Sequence, residues 1–419
     1  MFSTRRQLLC VVITALLSGH VFAADPPAVS DALPAQSNKA SDAGVWNAAF
    51  RYRYEGVSDD AFARDADAST ARLRLGWRQP LASGFSIFVE GEGVAELGDH
   101  FNSTANRQVA YPVVPDARAL ELNQAVLAWQ DDTSHAALGR QRYVLDNQRF
   151  IGNVGWRQNE QTFDALSLDT KLNTAMTVRY AFLDRAHRVN GDEAIDPLAQ
   201  ERNLAAHSVN ATYAHTGGAL TGYGYFLKDQ DVAAASTRTL GLRWVGNHAP
   251  DPQGSGFGWG WTLEFAQQSD YANNSANFSH NYILAEPTLS YSGITWRLGY
   301  ERLGGNGRHA LQMPLATLHA FNGWADKFLV TPNDGLEDRY VGAGAKFGSG
   351  AWQNQLNWAL AYHDFGADQG SRDFGSEWDA SVGAALGHGW SGMVKLADFR
   401  SDGYARDTQK IWFQLEWVH

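Results

Sequence analysis

Cysteine is almost missing from this chain: the only one, Cys10, falls inside an N-terminal apolar stretch. No disulfide framework and no thiolate metal site is available to the rest of the chain. Long apolar runs are missing too. After Leu8–Leu17 nothing approaches the ~18 consecutive apolar residues that a membrane-crossing helix needs. Positive charge is in the minority, with Lys+Arg 34 against Asp+Glu 45 and a formal net charge of −11. That balance argues against a nucleic-acid binder, which must neutralise phosphates. Catalytic signatures are absent as well: no G-x-S-x-G elbow, no H-E-x-x-H and no complete P-loop. Gly304-Gly305-Asn306-Gly307 lacks the Lys-Ser/Thr of a P-loop and reads as a flexible outer loop. The expectation is a non-enzyme with no cofactor and no bound metal. The acidic stretches Asp229-Gln230-Asp231 and Asn333–Asp338 read as solvated loops.

What is present begins with a secretory signal. Arg5 and Arg6 precede the ten-residue apolar core Leu8–Leu17, and Val21-Phe22-Ala23 supplies small residues at −3 and −1. Residues 1–23 are therefore expected to be removed. Cleavage takes away two Arg, so 32 basic against 45 acidic residues gives −13. Residues 24–44 are rich in Ala, Pro, Ser and Asp without any period, and read as a mobile periplasmic leader. The barrel is expected over 45–419.

From Trp46 onward, alternation takes over. Ala48, Phe50, Tyr52 and Tyr54 interleave with Arg51, Arg53 and Glu55, and Leu73, Leu75 and Trp77 with Arg72, Arg74 and Arg78. Period two with one apolar and one charged face is a half-buried strand. Eighteen such segments can be placed, the first three near 46–55, 71–78 and 85–97. The connections between them alternate in length. Short ones fall at 131–134, 171–173, 216–218, 291–293 and 387–389; long ones at 56–70, 98–118, 142–162, 184–204 and 302–337. Short turns at one end and long loops at the other define an antiparallel transmembrane β-barrel. An even strand count puts both ends of the barrel on the short-turn, periplasmic side. Trp46, Trp77, Trp244, Trp259, Trp261, Trp352, Trp390 and Trp417 lie near strand ends, as interfacial girdles require. Ile411, Phe413, Leu415 and Trp417 share one face of the last strand, the pattern read by barrel-assembly machinery.

With lipid outside, the polar face of each strand must line the lumen. It carries Arg51, Arg53, Arg72, Arg74, Arg140, Arg179, Arg243 and Arg297, interspersed with acids such as Glu55, Glu90, Glu92 and Glu301. Arginines in a pore attract anions, because guanidinium stays charged and grips carboxylates bidentately. The other reading is that Arg and Glu pair across strands to brace the wall.

One connection is unusual. Gly139–Leu166 carries four Arg, three Gly and the aromatics Tyr143, Phe150 and Trp156 before the next strand resumes. Long connections with such content are commonly functional. This stretch resembles the "GRQ…D…RF(I/V)G…WRQN…(T)FD" pattern of the alginate-export family of outer-membrane porins. The resemblance implies an 18-stranded barrel in the bacterial outer membrane, an electropositive conduit for an acidic polysaccharide or other anionic solute. It also implies Arg140, Arg142, Arg149 and Arg157 as motif residues, with Asp146 and Asp164 as their partners. Outer-membrane lipid, lipopolysaccharide and barrel-assembly machinery follow as partners. An outer-membrane lipid hydrolase, or a structural barrel without transport, is the alternative. The apolar residues Val144, Leu145, Phe150, Ile151 and Trp156 would lack cover in water, so residues 142–161 are expected to fold into the pore.

Overall fold

A computed structural model describes residues 44–248, 256–347 and 356–419. The expected signal (1–23), all of the leader but Gly44, Trp352, and the connections at 249–255 and 348–355 lie outside the described residues.

Eighteen antiparallel strands close into a barrel. They are β1 (Val45–Asp59), β2 (Ala66–Pro80), β3 (Phe85–Glu96), β4 (Ala119–Gln130), β5 (Ser134–Gln141) and β6 (Thr162–Lys171). Then follow β7 (Met176–His187), β8 (Glu201–His215), β9 (Gly218–Asp229), β10 (Thr237–His248), β11 (Gly258–Asp270) and β12 (Ser279–Tyr291). The last are β13 (Ile294–Leu303), β14 (Leu336–Phe347), β15 (Leu356–Gly366), β16 (Asp373–Gly387), β17 (Trp390–Ser401) and β18 (Thr408–Val418). Each pairs with its sequence neighbours, and β18 returns to β1 with Phe50 opposite Trp417 and Tyr54 opposite Phe413. Closure leaves no edge strand among the described residues, as a wall in hydrocarbon requires.

Strand periodicity sets the two faces. Leu73, Leu75, Leu240, Leu242, Phe265 and Phe413 are exposed on the outside, while Arg51, Arg53, Arg72, Arg74, Arg243 and Glu264 are buried inside. The tryptophans mark one end. Trp46 packs against Trp77, Trp244 against Trp261, and Trp390 against Trp417, all at the short-turn mouth. There amphipathic rings sit at the headgroup level. The first long connection is shorter than expected, because β1 and β2 extend to Asp59 and Ala66 and leave only residues 60–65 between them. The extension is stabilised where Val57, Ala66 and Ala68 pack with Phe101 and Val114 of the 97–118 connection.

One irregularity matters for the lumen. The β3–β4 register slips between Glu90 and Gly91, with Gln124 opposite Glu90 and Leu122 opposite Gly91. The extra residue, Asn123, forms a bulge, so that Asn123 and Gln124 are both buried and both donate to Glu90. A bulge re-aims side chains in this way beside functional sites.

The register makes a checkable statement. Leu73→Lys, on the lipid face in mid-strand, should cost about 2–4 kcal/mol of barrel stability. Asp132→Lys in an exposed periplasmic turn should cost under about 0.5 kcal/mol. Urea unfolding of protein refolded into vesicles measures both; similar losses would show the β2 register to be off by one residue.

Candidate functional site: two inward segments and the arginine wall

The expected inward fold of the 142–161 connection is present, and it does not come alone. The 304–335 connection also enters the lumen, and the two segments are joined to each other. Gly152 N–H donates to the Leu315 carbonyl at 2.9 Å, Thr317 N–H to the Gln148 carbonyl at 3.0 Å, and Ile151 pairs with Leu315 as a parallel bridge. Tyr143, Leu145, Ile151 and Trp156 share one core with Leu311, Met313, Leu315, Trp324 and Phe328. Gly304–Gly307, read as an outer loop, is exposed at Asn306 and Gly307, but the connection turns inward from Ala310. Leu311, Met313, Leu315, Trp324 and Phe328 need the same cover as the apolar residues of the first segment, and they find it in the lumen.

Local geometry explains the glycines of the motif. At Gly139 the backbone has φ +119°, and a Cβ there would lie 2.1 Å from the Ala125 carbonyl oxygen. Only glycine ends β5 this way. At Gly152 the limit is close approach, since a Cβ would lie 2.4 Å from Thr317 Oγ1. The left-handed turns themselves are taken by Asp146, Gln148 and Val154, with φ of 50°, 65° and 53°. Val154, β-branched and strained there, donates its N–H to Thr317 Oγ1 at 3.0 Å.

The arginine wall of β1 and β2 grips the first segment. Arg51 Nη1 donates to the Gly155 carbonyl at 3.0 Å and to the Trp156 and Arg157 carbonyls at 3.3 Å each. Arg53 donates to the Trp156 carbonyl, and Arg72 to the Gln158 carbonyl at 3.4 Å. A loop inside a barrel has carbonyls without ladder partners, and guanidinium offers five donors to meet them. Carboxylates complete the lattice: Arg51 and Arg72 each lie 3.0 Å from Glu416, and Arg74 pairs with Glu92.

Trp156 is the centre of contact. Its ring stacks on His319 at 4.6 Å and meets Trp412 edge-on at 5.8 Å. Arg53 lies over it at 4.0 Å and Lys395 at 4.1 Å. Such desolvated cation–π contacts are worth up to about 2 kcal/mol each. Lys395 Nζ donates to His319 Nε2 at 2.8 Å, so Nδ1 carries the ring proton and donates to Asp326 at 2.7 Å. Burial lowers the His319 pKa and keeps the ring neutral, as this chain of donors requires.

The expected site residues do not all converge. Arg142 lies 2.7 Å from Glu90 and 2.6 Å from Glu160. Arg149 pairs with Glu301 at 2.8 Å and donates to Asn322 Oδ1 at 2.8 Å; Arg157 pairs with Glu55 at 2.8 Å and Asp326 at 3.2 Å. Arg149 and Arg157 thus tie the first segment both to the wall and to the second segment. Arg179 pairs with Asp169 and donates to the Val144 carbonyl at 3.4 Å, at the start of the first segment, while Arg243 pairs with Glu264 and Arg297 with Glu286 on the inner wall away from Trp156. Two expectations are corrected. Arg140 shares the outward face of Leu138, near the rim, where it pairs with Asp164 at 3.0 Å; it does not line the pore. Ala137 and Gln141 take the inward places on β5. Asp146 pairs with none of the four motif arginines, but accepts from Asn210 at 2.7 Å and from Tyr225 at 3.3 Å.

Acids are the residues missed. Glu160 accepts from Arg142 and Asn123 at 2.6 Å and from Asn153 at 3.0 Å, and lies 3.4 Å from Arg74. Burial alone would raise its pKa, but Arg142, Arg74 and Asn123 outweigh burial and bring it down to about 2. Asp326 behaves alike: burial would raise it, and His319, Lys410 and Arg157 hold it well below the carboxylate range. Glu160 directly follows the Trp156–Asn159 stretch of the motif, so charge balance against its arginines was the available signal.

This is an outer-membrane β-barrel porin with two segments folded into its bore. The family described as alginate export matches residues 46–276, more than half of the chain, and the chain belongs to that family. No curated protein matches it. Among solved structures it resembles OpdK of Pseudomonas aeruginosa, at 13% identity and TM-score 0.68, covering 90% of this chain and 98% of that one. OccAB4 of Acinetobacter baumannii gives 14% and 0.70, covering 90% and 98%. OpdO of P. aeruginosa gives 16% and 0.69, covering 90% and 97%.

Two outcomes follow from this geometry. Gly152→Val should part the segments at Thr317 and raise or destabilise single-channel conductance in a planar bilayer, with the barrel still folded; wild-type conductance would contradict the contact. The depressed Glu160 and Asp326 carboxyls stabilise the inward state above the ordinary carboxylate pKa, and that stability is lost as pH falls. The segments should hold at pH 5 and loosen as pH drops from about 4 toward 2. Trp fluorescence in vesicles reads the change, and a signal flat over that window would remove these acids from the fastening.

Proposed function

We propose that this porin is a passive, weakly anion-selective channel for small carboxylates or acidic saccharides, acting without catalysis. The observation that carries the reading is on the arginine wall. Arg51, Arg53, Arg72 and Arg74 gather four guanidinium groups on the inner face of the adjacent strands β1 and β2. Guanidinium stays charged and recognises carboxylates, so the field of this cluster draws anionic solutes toward the wall. Asp116, Glu92, Glu55 and Glu416 pair with basic groups at the same wall, so it is mixed and the preference for anions is modest. OpdK has been solved with vanillate, itself a carboxylate. Family membership supports an acidic solute in the same way. The proposal places the barrel among outer-membrane lipid and lipopolysaccharide, delivered there by barrel-assembly machinery.

Reversal potentials under a salt gradient test the reading. Wild type should favour chloride modestly. The double variant Arg51→Gln/Arg72→Gln should shift toward cations, and Glu416→Gln, which frees both arginines from their shared acid, should shift toward anions. If all three proteins give one reversal potential, this wall does not set selectivity.

A further inference from the structure

We propose that Lys228 and Arg238 form a seat on the outer wall for a phosphate of lipopolysaccharide. This rests on the outer-membrane placement of the porin, but not on its conductance or selectivity.

Position comes first. Lys228 is the penultimate residue of β9 and Arg238 the second residue of β10, both at the long-loop end of the barrel. Both are exposed, and both lie on the outward face. Arg238 shares that face with Leu240 and Leu242, and Lys228 shares it with Phe226, which is directly opposite Arg238. Lys228 is therefore the diagonal neighbour of Arg238, about 7–8 Å away along the sheet. A phosphate group fits between two such side chains.

Pairing sets this site apart. Other outward arginines near that rim have carboxylates: Arg140 has Asp164 and Arg339 has Glu337. Among the described residues neither Lys228 nor Arg238 has one. Arg238 gives a single hydrogen bond, to Ser269 Oγ at 3.2 Å, and Lys228 gives none. Two cations left unmatched at the membrane surface call for an anion from outside the chain.

The surroundings say which anion. Just below the pair, toward the membrane centre, Leu240 and Leu242 are half exposed and suit acyl chains. Cations above an apolar strip match a phosphate carried on acyl chains, and at this end of the barrel the leaflet is lipopolysaccharide.

Binding of purified lipid A to the detergent-solubilised porin, read by native mass spectrometry, tests the seat. Lys228→Gln/Arg238→Gln should weaken lipid A binding roughly tenfold or more. Arg339→Gln removes a charge already matched within the chain and should leave binding as in wild type. Dephosphorylated lipid A should bind both proteins weakly and equally, and inorganic phosphate should not compete. Equal lipid A binding by wild type and the double variant would overturn the seat, as would an equal loss in Arg339→Gln, which would mean diffuse charge. Competition by inorganic phosphate would make it a free-anion site instead. Heat-modifiable gel mobility confirms that each variant is folded. Conductance recorded on the same proteins separates the two readings, since a wild type without channel activity fails the porin reading and leaves the lipid result standing.

Discussion

A charge buried in a barrel must be matched inside the barrel, and this constraint organises the molecule. The lumen wall carries guanidinium groups that are almost fully buried, Arg53 and Arg72 among them. Removing one partner from such a pair costs roughly 3–5 kcal/mol. The wall alone does not match its arginines. The inward segments do, with the carbonyls of Gly155, Trp156, Arg157 and Gln158 and the carboxylate of Glu160. The wall needs the segment as much as the segment needs the wall.

The two segments act as one body. Arg157 and Lys410 share Asp326, Arg149 and Asn322 share Glu301, and Lys395 reaches both Trp156 and Trp324. Residues far apart in sequence therefore depend on shared partners, and their contributions are not additive. The second segment is also held to β16, where Ala325 N–H donates to Glu377 at 2.6 Å and Trp324 N–H to Asp379 at 3.2 Å. Release of either segment exposes charges of the other.

Most of the barrel was legible because a membrane wall enforces period two. β4 fills the interval left between the 98–118 and 131–134 connections, and β5 falls within one residue of the interval between 131–134 and 142–162. Alternating connection lengths gave sidedness. The lumen was less legible, for local reasons. Arg140 reads as lumenal only if every charged strand residue is assigned inward; near the rim an ion pair with Asp164 makes the outer face tolerable. The Asn123 bulge has no period of its own. The second inward segment was hidden by its glycine-rich start, although Leu311, Met313 and Trp324 carried the same signal that revealed the first. Asp146 was assigned through the family resemblance, whereas the fold turns it toward Asn210 and Tyr225.

The charge pattern also bears on how a solute passes. Arginine and carboxylate alternate within a few ångströms along the wall, so their fields cancel within about one Debye length, near 8 Å at physiological ionic strength. A solute therefore gains little from the mean potential of the wall. Opening the bore by displacing the inward segments would break several buried pairs together. At several kcal/mol per pair the displaced state would be scarcely populated. The geometry therefore favours passage beside a fixed constriction over passage by removal of a lid.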